Sequence, residues 1–191
     1  MLTIPNNSLS EFSIIGLDPG SNAFGIAVLN INIETKKIVS SIAWTIFAER
    51  LAGKNNWVEE IHGGRVNRIL AIEENLVSVF QHFNPAVIAT ESPFIHNSFP
   101  AAGIALTEVL STIRRAVMRY DSWQQLFLIP PSSVKNGVGA GGGVNKVSVR
   151  DKVLALTELN YSGSVNIELL DEHSIDALSV AYTKYKQLIE T

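Results

Sequence analysis

The feature that most constrains the fold is a pair of apolar, strand-forming runs separated by a Pro-Gly turn. The stretch SIIGLDPGSNAFGIAVL, residues 13–29, places Asp18 directly after an isoleucine-rich run and directly before Pro19-Gly20. Isoleucine and valine favour strands, and Pro-Gly favours a tight connection. The stretch therefore predicts two adjacent strands, the first of which ends in a carboxylate.

The rest of the chain alternates strands with helices. Further strands are predicted at 36–47, 86–91 and 125–130, and helices at 58–83, 101–120, 145–159 and 172–188. The arginines of the second helix, Arg114, Arg115 and Arg119, are predicted to form its solvated face. This order predicts an α/β fold with a five-stranded mixed sheet, three antiparallel strands followed by parallel ones, and helices on both faces.

Composition indicates one ordinary globular domain. The chain has 191 residues, of which 46% are hydrophobic and 17% charged, a formal net charge of -3 and no cysteine. No window approaches the roughly 18 consecutive apolar residues of a membrane span, and nothing resembles a secretion signal. We expect a flexible extension over 1–12, a single domain over 13–191 and a cytoplasmic protein with no membrane contact.

Three carboxylates stand where the predicted elements would bring them together. Asp18 ends the first strand, Glu91 ends the fourth, and Asp176 lies one turn into the last helix. If the first and fourth strands are neighbours, Asp18 and Glu91 meet at one edge of the sheet. Converging carboxylates repel each other unless a cation binds between them, and Mg²⁺ and Mn²⁺ prefer oxygen ligands. Two such ions can activate a water and stabilise the leaving oxygen of a phosphodiester.

These positions also have structural interpretations. An aspartate before Pro-Gly, such as Asp18, is typical of a turn, and Glu91 is typical of a solvated strand exit. Asp171 is predicted to cap the last helix, and Glu172 to favour its positive end. His173 lies on the same helical face as the third acid, where a histidine is either a surface residue or a ligand.

A glycine-rich tract, GVGAGGG at 137–143, lies among basic residues. It matches G-x-G-x-x-G, but it follows the preceding strand too late for a dinucleotide site and lacks the lysine spacing of a Walker loop. A mobile connection is the structural alternative. Residues 130–152 contain four basic residues and one acid, a net charge of +3, which suits a polyanionic substrate.

Four segments together resemble one known family. IIGLDPGSNAFGIAVL, VIATESPF, PPSSVKNGVGAGGGVNKVSV and EHSIDALSVAYT occur in the order and approximate spacing of the RuvC family of Holliday junction resolvases, across about residues 13–187. The resemblance implies a ribonuclease H-like fold and a homodimeric, metal-dependent endonuclease. Such an enzyme cuts two strands of a four-way DNA junction symmetrically in recombination and repair. It implies two Mg²⁺ ions per active site, replaceable by Mn²⁺, in a bacterium or a phage-infected host.

The resemblance also implies roles for individual residues. Asp18, Glu91 and Asp176 match the family's metal-binding acids, and His173 stands where some members have Asp and others His. All four are predicted to be catalytic metal ligands.

Further positions match the family's DNA-binding surface. Lys135 and Lys146 flank the glycine tract where the family contacts DNA, and Lys146 is also predicted to aid catalysis. Phe94 matches an aromatic that stacks on junction bases, although a core or interface position is its structural alternative. Arg150 is predicted to contact DNA. The helix after Phe94 lies where the family dimerises.

Other functions remain open at this level. A related ribonuclease H-like nuclease could act on other branched DNA or on structured RNA, and a catalytically silent DNA-binding module would share the fold. Actin-like ATPases and sugar kinases repeat their core in two domains, for which 191 residues are too few. The segment 47–64 is longer than the family's usual connection, and the sequence indicates neither a cleavage preference nor a branch-migration motor.

Overall fold

The computed structural model describes residues 10–53, 57–93, 100–141 and 149–190, with the backbone alone for 100–104. Its five strands are β1 (Glu11–Asp18), β2 (Ala23–Asn32), β3 (Ile38–Phe47), β4 (Val87–Glu91) and β5 (Leu126–Ile129). They form one sheet in the order β3-β2-β1-β4-β5. The first three are antiparallel, and β4 and β5 run parallel to β1. The predicted mixed sheet is confirmed.

Helices cover both faces of the sheet, as predicted. They are α1 (Ala48–Ala52), α2 (Trp57–His62), α3 (Gly64–Phe83), α4 (Pro100–Tyr120), α5 (Pro131–Gly137), α6 (Val149–Leu154) and α7 (Glu172–Ile189). One face packs on α7, and the other packs on α3 and α4. Within the described ranges, every helix is too short or too polar to cross a membrane.

Three helical segments differ from the sequence prediction. The helix predicted at 58–83 is divided into α2 and α3 at Gly63, whose φ of 84° lies in the left-handed region that favours glycine. Of the helix predicted at 145–159, the described part is α6 followed by a 3₁₀ turn at Thr157–Leu159. The short helix α5 was not predicted, although Pro131 at its first turn is typical of a helix start.

β1 is buried on both faces, which explains its continuous apolar run. Ile14 contacts the core beneath α7, whereas Ile15 and Leu17 contact the core beneath α3 and α4. Successive side chains of a strand point to opposite faces, so a central strand covered on both sides needs apolar residues at every position. Asp18 follows this apolar run and is the last residue of the strand.

The pairing of β1 with β4 brings two predicted site residues to one edge. Ile14 pairs with Val87 and Leu17 pairs with Thr90 in a parallel ladder. One residue further along this register, Asp18 is level with Glu91. The first and fourth strands are therefore neighbours, as the sequence argument required. We call the end of the sheet at which these two strands stop, with Asp18 and Glu91, the Asp18 end.

Helix α7 lies directly against the sheet because β1 and β2 present glycines beneath it. A Cβ atom on Gly16 would overlap the carbonyl oxygen of Ala177 and the backbone nitrogen of Ala181. A Cβ on Gly25 would overlap the carbonyl oxygen of His173. Only glycine permits this separation, so these two positions set how close α7 comes to Asp18.

Helices α3 and α4 are joined by ion pairs around a buried acid. Arg115 Nε donates to Glu73 Oε2 at 2.8 Å, and Arg119 Nη1 donates to Glu73 Oε1 at 3.1 Å. Glu73 is 6% exposed and needs such partners. Arg114, Arg115 and Arg119 are all exposed, which confirms the predicted solvated face of the helix. The ion pairs of Arg115 and Arg119 with Glu73 across that face were not predicted.

We expect Gly16→Ala to lower the free energy of unfolding by about 1–3 kcal/mol, because the added methyl group overpacks the contact with α7. Urea titration measures the change. The control is Gly64→Ala, where the new Cβ would have its nearest contact at 3.4 Å, from Glu59 Oε1, and where alanine favours the helix. Equal stability of Gly16→Ala and wild type would contradict the assigned close contact.

Candidate active site

Asp18 and Glu91 line a cleft at the Asp18 end of the sheet. Both side chains are partly buried, and that of Asp18 is 14% exposed. The residues lining the cleft are Asp18, Pro19, Glu91, Ser92, Pro93, Leu106 and Pro131. The Pro19-Gly20 turn directs the chain away from Asp18, so the carboxylate lies at the open end of its strand.

His173 contacts Asp18 from the first turn of α7. Its Nδ1 lies 2.8 Å from Asp18 Oδ2, and its side chain is 34% exposed. If Nδ1 carries the proton, it donates to Asp18, and Nε2 retains a lone pair directed elsewhere. This contact joins the first strand of the fold to the last helix.

The N-terminus of α7 is attached to β3 as well as to β1. Asp171 caps the helix by accepting from the backbone N–H of Ser174 at 2.8 Å, which confirms its predicted capping role. Thr45 on β3 donates its hydroxyl to Asp171 Oδ1 at 2.5 Å and lies 2.9 Å from the Ser174 hydroxyl. These bonds hold the first turn of α7, and with it His173, at the Asp18 end of the sheet.

Burial and mutual repulsion shift two of the acids strongly. Desolvation, followed by the charges of Asp18 and Asp176, raises the pKa of Glu91 to about 7. Desolvation, followed by the charge of Asp18, raises the pKa of Asp176 to about 6. The three carboxyl groups are thus electrostatically coupled, and as a group they disfavour full ionisation.

The Asp18–His173 pair responds to opposing influences. Burial raises the pKa of Asp18, while the hydrogen bond and charge of His173 oppose that rise. Burial lowers the pKa of the His173 imidazole, but its hydrogen bond to Asp18 and the charges of Asp18, Glu172 and Asp171 together outweigh burial and raise it overall. The 2.8 Å contact thus couples the ionisation of the two side chains.

Lys135 acts electrostatically on the carboxyl groups of Glu91 and Asp176. It lies in the last turn of α5 and is exposed, and its charge opposes the raised pKa of both Glu91 and Asp176. Helix α5 is attached to α7 by a hydrogen bond from the Thr183 hydroxyl to the carbonyl of Val134 at 3.2 Å. Helix α5, which was not predicted from the sequence, therefore positions Lys135, which was predicted to contact DNA.

The remaining predicted residues differ in what the structure describes. Phe94 and Lys146 lie outside the described residues. Arg150 lies on α6, where its guanidinium donates to the carbonyl of Leu170 at 2.7 Å and to the carbonyl of Glu168. These bonds hold the segment that leads into α7, and a DNA contact by Arg150 stays a prediction.

Four residues of the site were not predicted from the sequence: Thr45, Ser174, Gly16 and Gly25. A glycine inside a strand-forming run was an available signal, because it often marks a close backbone approach. Thr45 and Ser174 had no local signal, since their contacts join distant parts of the chain.

In protein without divalent ions, we expect Glu91→Gln to be more stable than wild type at alkaline pH. Because the pKa of Glu91 rises from 4.5 to about 7 on folding, the folded chain holds a proton that the unfolded chain releases across that window. Stability therefore falls as the pH rises from about 4.5 to about 7. With solvent screening, we expect the melting temperature of Glu91→Gln to exceed that of wild type by about 2–4 °C at pH 8.

At pH 5 most of that difference should be absent. Thermal unfolding in EDTA at the two pH values measures it, and Glu34→Gln, an exposed acid between β2 and β3, controls for the loss of one charge. A Glu91→Gln variant that is less stable than wild type at pH 8 would contradict the assigned repulsion.

Sequence comparison identifies relatives of one kind, although no protein-family model matches the chain. The crossover junction endodeoxyribonuclease RuvC of Synechocystis is 32% identical over 114 residues, which span 60% of this chain and 62% of that protein. The RuvC proteins of two Prochlorococcus marinus strains align over more of the length. One is 28% identical over 170 residues, covering 89% of this chain and 96% of the relative. The other is 24% identical over 180 residues, covering 91% and 96%.

Solved structures of resolvases share the fold. RuvC of Thermus thermophilus superposes with a TM-score of 0.64 at 18% identity, covering 94% of this chain and 97% of that chain. The yeast mitochondrial Holliday junction resolvase superposes with a TM-score of 0.63 at 16% identity, covering 93% and 80%. The chain therefore has the ribonuclease H-like fold of these resolvases, and the resemblance to the RuvC family that its motifs indicated is confirmed in sequence and in fold.

Proposed function

We propose that this protein is a metal-dependent endonuclease that resolves four-way DNA junctions. The observation that supports this most directly is the arrangement of Asp18, Glu91, His173 and Asp176 at one edge of a resolvase-like sheet. The relatives named above are crossover junction endodeoxyribonucleases, and the solved structures include a Thermus thermophilus RuvC in complex with a Holliday junction substrate.

The chemistry of the four side chains suits a hard divalent cation. Three carboxyl groups and an imidazole offer oxygen and nitrogen donors. The raised pKa values of Glu91 and Asp176 reflect burial and, after it, repulsion between carboxylates, which a cation would relieve. As they stand, no three His, Asp or Glu side chains in the described part of the chain are arranged to hold one ion. Binding therefore requires these side chains to adjust, with Asp18, Glu91 and Asp176 as the proposed ligands.

We assign two Mg²⁺ ions to the site, with Mn²⁺ as an alternative. When bound, such ions would supply an activated water and would stabilise charge on the leaving oxygen of the phosphodiester. The raised pKa of the carboxyl groups means that metal binding displaces protons from the site.

His173 is proposed to orient Asp18 and either to bind one ion or to position the attacking water. With Nδ1 directed to Asp18 at 2.8 Å, Nε2, which lies 4.0 Å from Glu172 Oε1, is the atom that can bind an ion or accept a proton. The hydrogen bonds of Thr45 and Asp171 hold the start of α7, so the imidazole is positioned before substrate arrives.

The DNA backbone is proposed to lie along the basic side of the cleft. Lys135 is exposed, its charge acts on Glu91 and Asp176, and its ammonium group can bind a phosphate at the mouth of the cleft. Lys146 is proposed to stabilise charge on the scissile phosphate, and Phe94 to stack on a junction base. Both assignments rest on the family resemblance, as does the further DNA contact of Arg150.

Symmetric cutting of two strands requires two active sites, so we propose a homodimer of a single nuclease domain, 13–191, acting in the cytoplasm. Other branched DNA and structured RNA are the alternative substrates for the same chemistry.

We expect Asp18→Asn to cut a synthetic four-way junction more than ~100-fold slower than wild type. Loss of a metal-orienting partner outside the ligand set already costs about 10–100-fold, and Asp18 is a proposed ligand. Gel analysis of labelled junctions with Mg²⁺ measures the rate, and Glu34→Gln should cut as wild type does. The proposal fails if Asp18→Asn is as fast as wild type.

The substrate class is tested by rates on four-way junction, flap, duplex and RNA substrates of one sequence. We expect the junction to be cut fastest, with paired nicks at symmetric positions because the proposed enzyme is a dimer. Equal rates on all four substrates would exclude a resolvase, and faster cleavage of the RNA would favour the alternative.

We expect Mn²⁺ to raise the melting temperature of the wild-type protein by about 5–10 °C at 100 times its dissociation constant, since ligand binding at that excess adds about 2.7 kcal/mol. Asp18→Asn should lose most of this shift, because it removes a proposed ligand that contacts His173 and whose charge acts on both Glu91 and Asp176. Differential scanning calorimetry measures both proteins. An equal shift in the variant would place the ion elsewhere.

A further inference from the structure

The last residue of β3 presents an exposed aromatic ring at the Asp18 end of the sheet. Phe47 is the last residue of β3 and is 43% exposed. The next residue, Ala48, is fully buried, and its N–H donates to the carbonyl of Asn22 at 2.8 Å. Since Asn22 belongs to the turn that follows Asp18, the backbone beside Phe47 is attached to the turn of the proposed active site.

The strand register places Phe47 near the carboxyl groups. Gly25 of β2 pairs with Asp18 on one side and with Thr45 on the other. At about 4.8 Å between neighbouring strands and about 3.4 Å per residue, Phe47 lies roughly 12 Å from Asp18. This distance corresponds to a few nucleotide steps along a DNA strand.

A guanidinium group lies over the exposed ring. Arg50 Cζ is 4.9 Å from the centroid of Phe47, and Arg50 is exposed on α1. The ion pairs found among the described residues do not use Arg50. The neighbouring acid, Glu49, lines a separate cleft with Asn67 and Arg68 between α1 and α3. The positive charge is therefore available to an anion.

We propose that Phe47 and Arg50 form a second nucleic-acid contact, which binds a nucleotide of the strand that passes through the active site. An unstacked base lies against the ring or the guanidinium plane, and the guanidinium binds the adjacent phosphate. This inference rests on the proposed function. It gives a role to the start of the 47–64 segment.

The location distinguishes this pair from other exposed aromatic residues. Trp123 is 88% exposed, but it lies between α4 and β5, at the edge of the sheet opposite Asp18. Among the described residues, no cation lies over its ring. Among the described residues, only Phe47 and Arg50 combine an exposed aromatic ring, a cation outside the ion pairs and proximity to the carboxyl groups. This combination favours a polyanion with planar bases as the ligand.

The test measures binding of a fluorescent four-way junction without divalent ions, so that no cleavage occurs. We expect Phe47→Leu to bind about tenfold more weakly, the effect of losing one base–aromatic stack, whereas Phe47→Tyr should bind as wild type does. Arg50→Gln should weaken binding and reduce the slope of log affinity against log salt by about one phosphate contact.

Matched controls are Trp123→Leu and Lys37→Gln, an exposed aromatic and an exposed cation at the opposite edge, and both should bind as wild type does. Thermal melting monitors folding. If Phe47→Leu is unfolded, the inference is tested by Arg50→Gln alone, through its slope of log affinity against log salt concentration. Wild-type affinity in folded Phe47→Leu and an unchanged slope in Arg50→Gln would overturn the inference.

Failure of this inference is distinguishable from failure of the proposed function. If wild type cuts the junction, Asp18→Asn does not, and the Phe47 and Arg50 variants bind normally, only the second contact is excluded. If wild type does not bind the junction, both are excluded. If Phe47→Leu alters the sedimentation mass but not DNA affinity, the ring belongs to a protein interface and the inference is overturned.

Discussion

The packing of α7 against β1 and β2 is the contact on which the rest of the site depends. Gly16 and Gly25 leave no side chain between the strands and the helix, so the backbone of α7 lies directly on them. At this separation His173 reaches Asp18 with a 2.8 Å contact. A larger residue at either glycine would move the helix, and the carboxyl and imidazole groups would separate.

The same packing buries the acidic side chains of the site, which lowers the stability of the fold. Desolvation is the largest cause of the raised pKa of both Glu91 and Asp176, and repulsion from Asp18 adds to it. Buried like charges oppose folding unless a cation or a proton neutralises them. Two sets of contacts offset that opposition: the apolar residues on both faces of β1 and the hydrogen bond between Thr45 and Asp171. They hold the strand and the helix together independently of Asp18, Glu91 and Asp176.

Much of the architecture followed from local patterns. Strands appeared as short apolar runs bounded by turn residues, and the cap at Asp171 followed from the residue preferences of helix starts. That β1 and β4 are neighbours was a condition of the predicted site, and the strand order of the sheet meets it. The division at Gly63 was missed because helical spacing continues across it. The pairing of Arg115 and Arg119 with Glu73 was missed because a helix face that is polar in sequence can still contact a second helix.

The sequence by itself determined which residues end the strands and which begin the last helix, because turn, strand and capping preferences act over a few neighbouring residues. It thereby placed Asp18, Glu91 and Asp176 at the ends of elements and indicated the chemistry they share. Only the tertiary structure decided that α7 lies on two glycines, that Thr45 holds its cap and that Phe47 lies at the same edge as the carboxyl groups. Those relations depend on strand register and on helix-to-sheet distance, which arise from contacts between residues far apart in the chain.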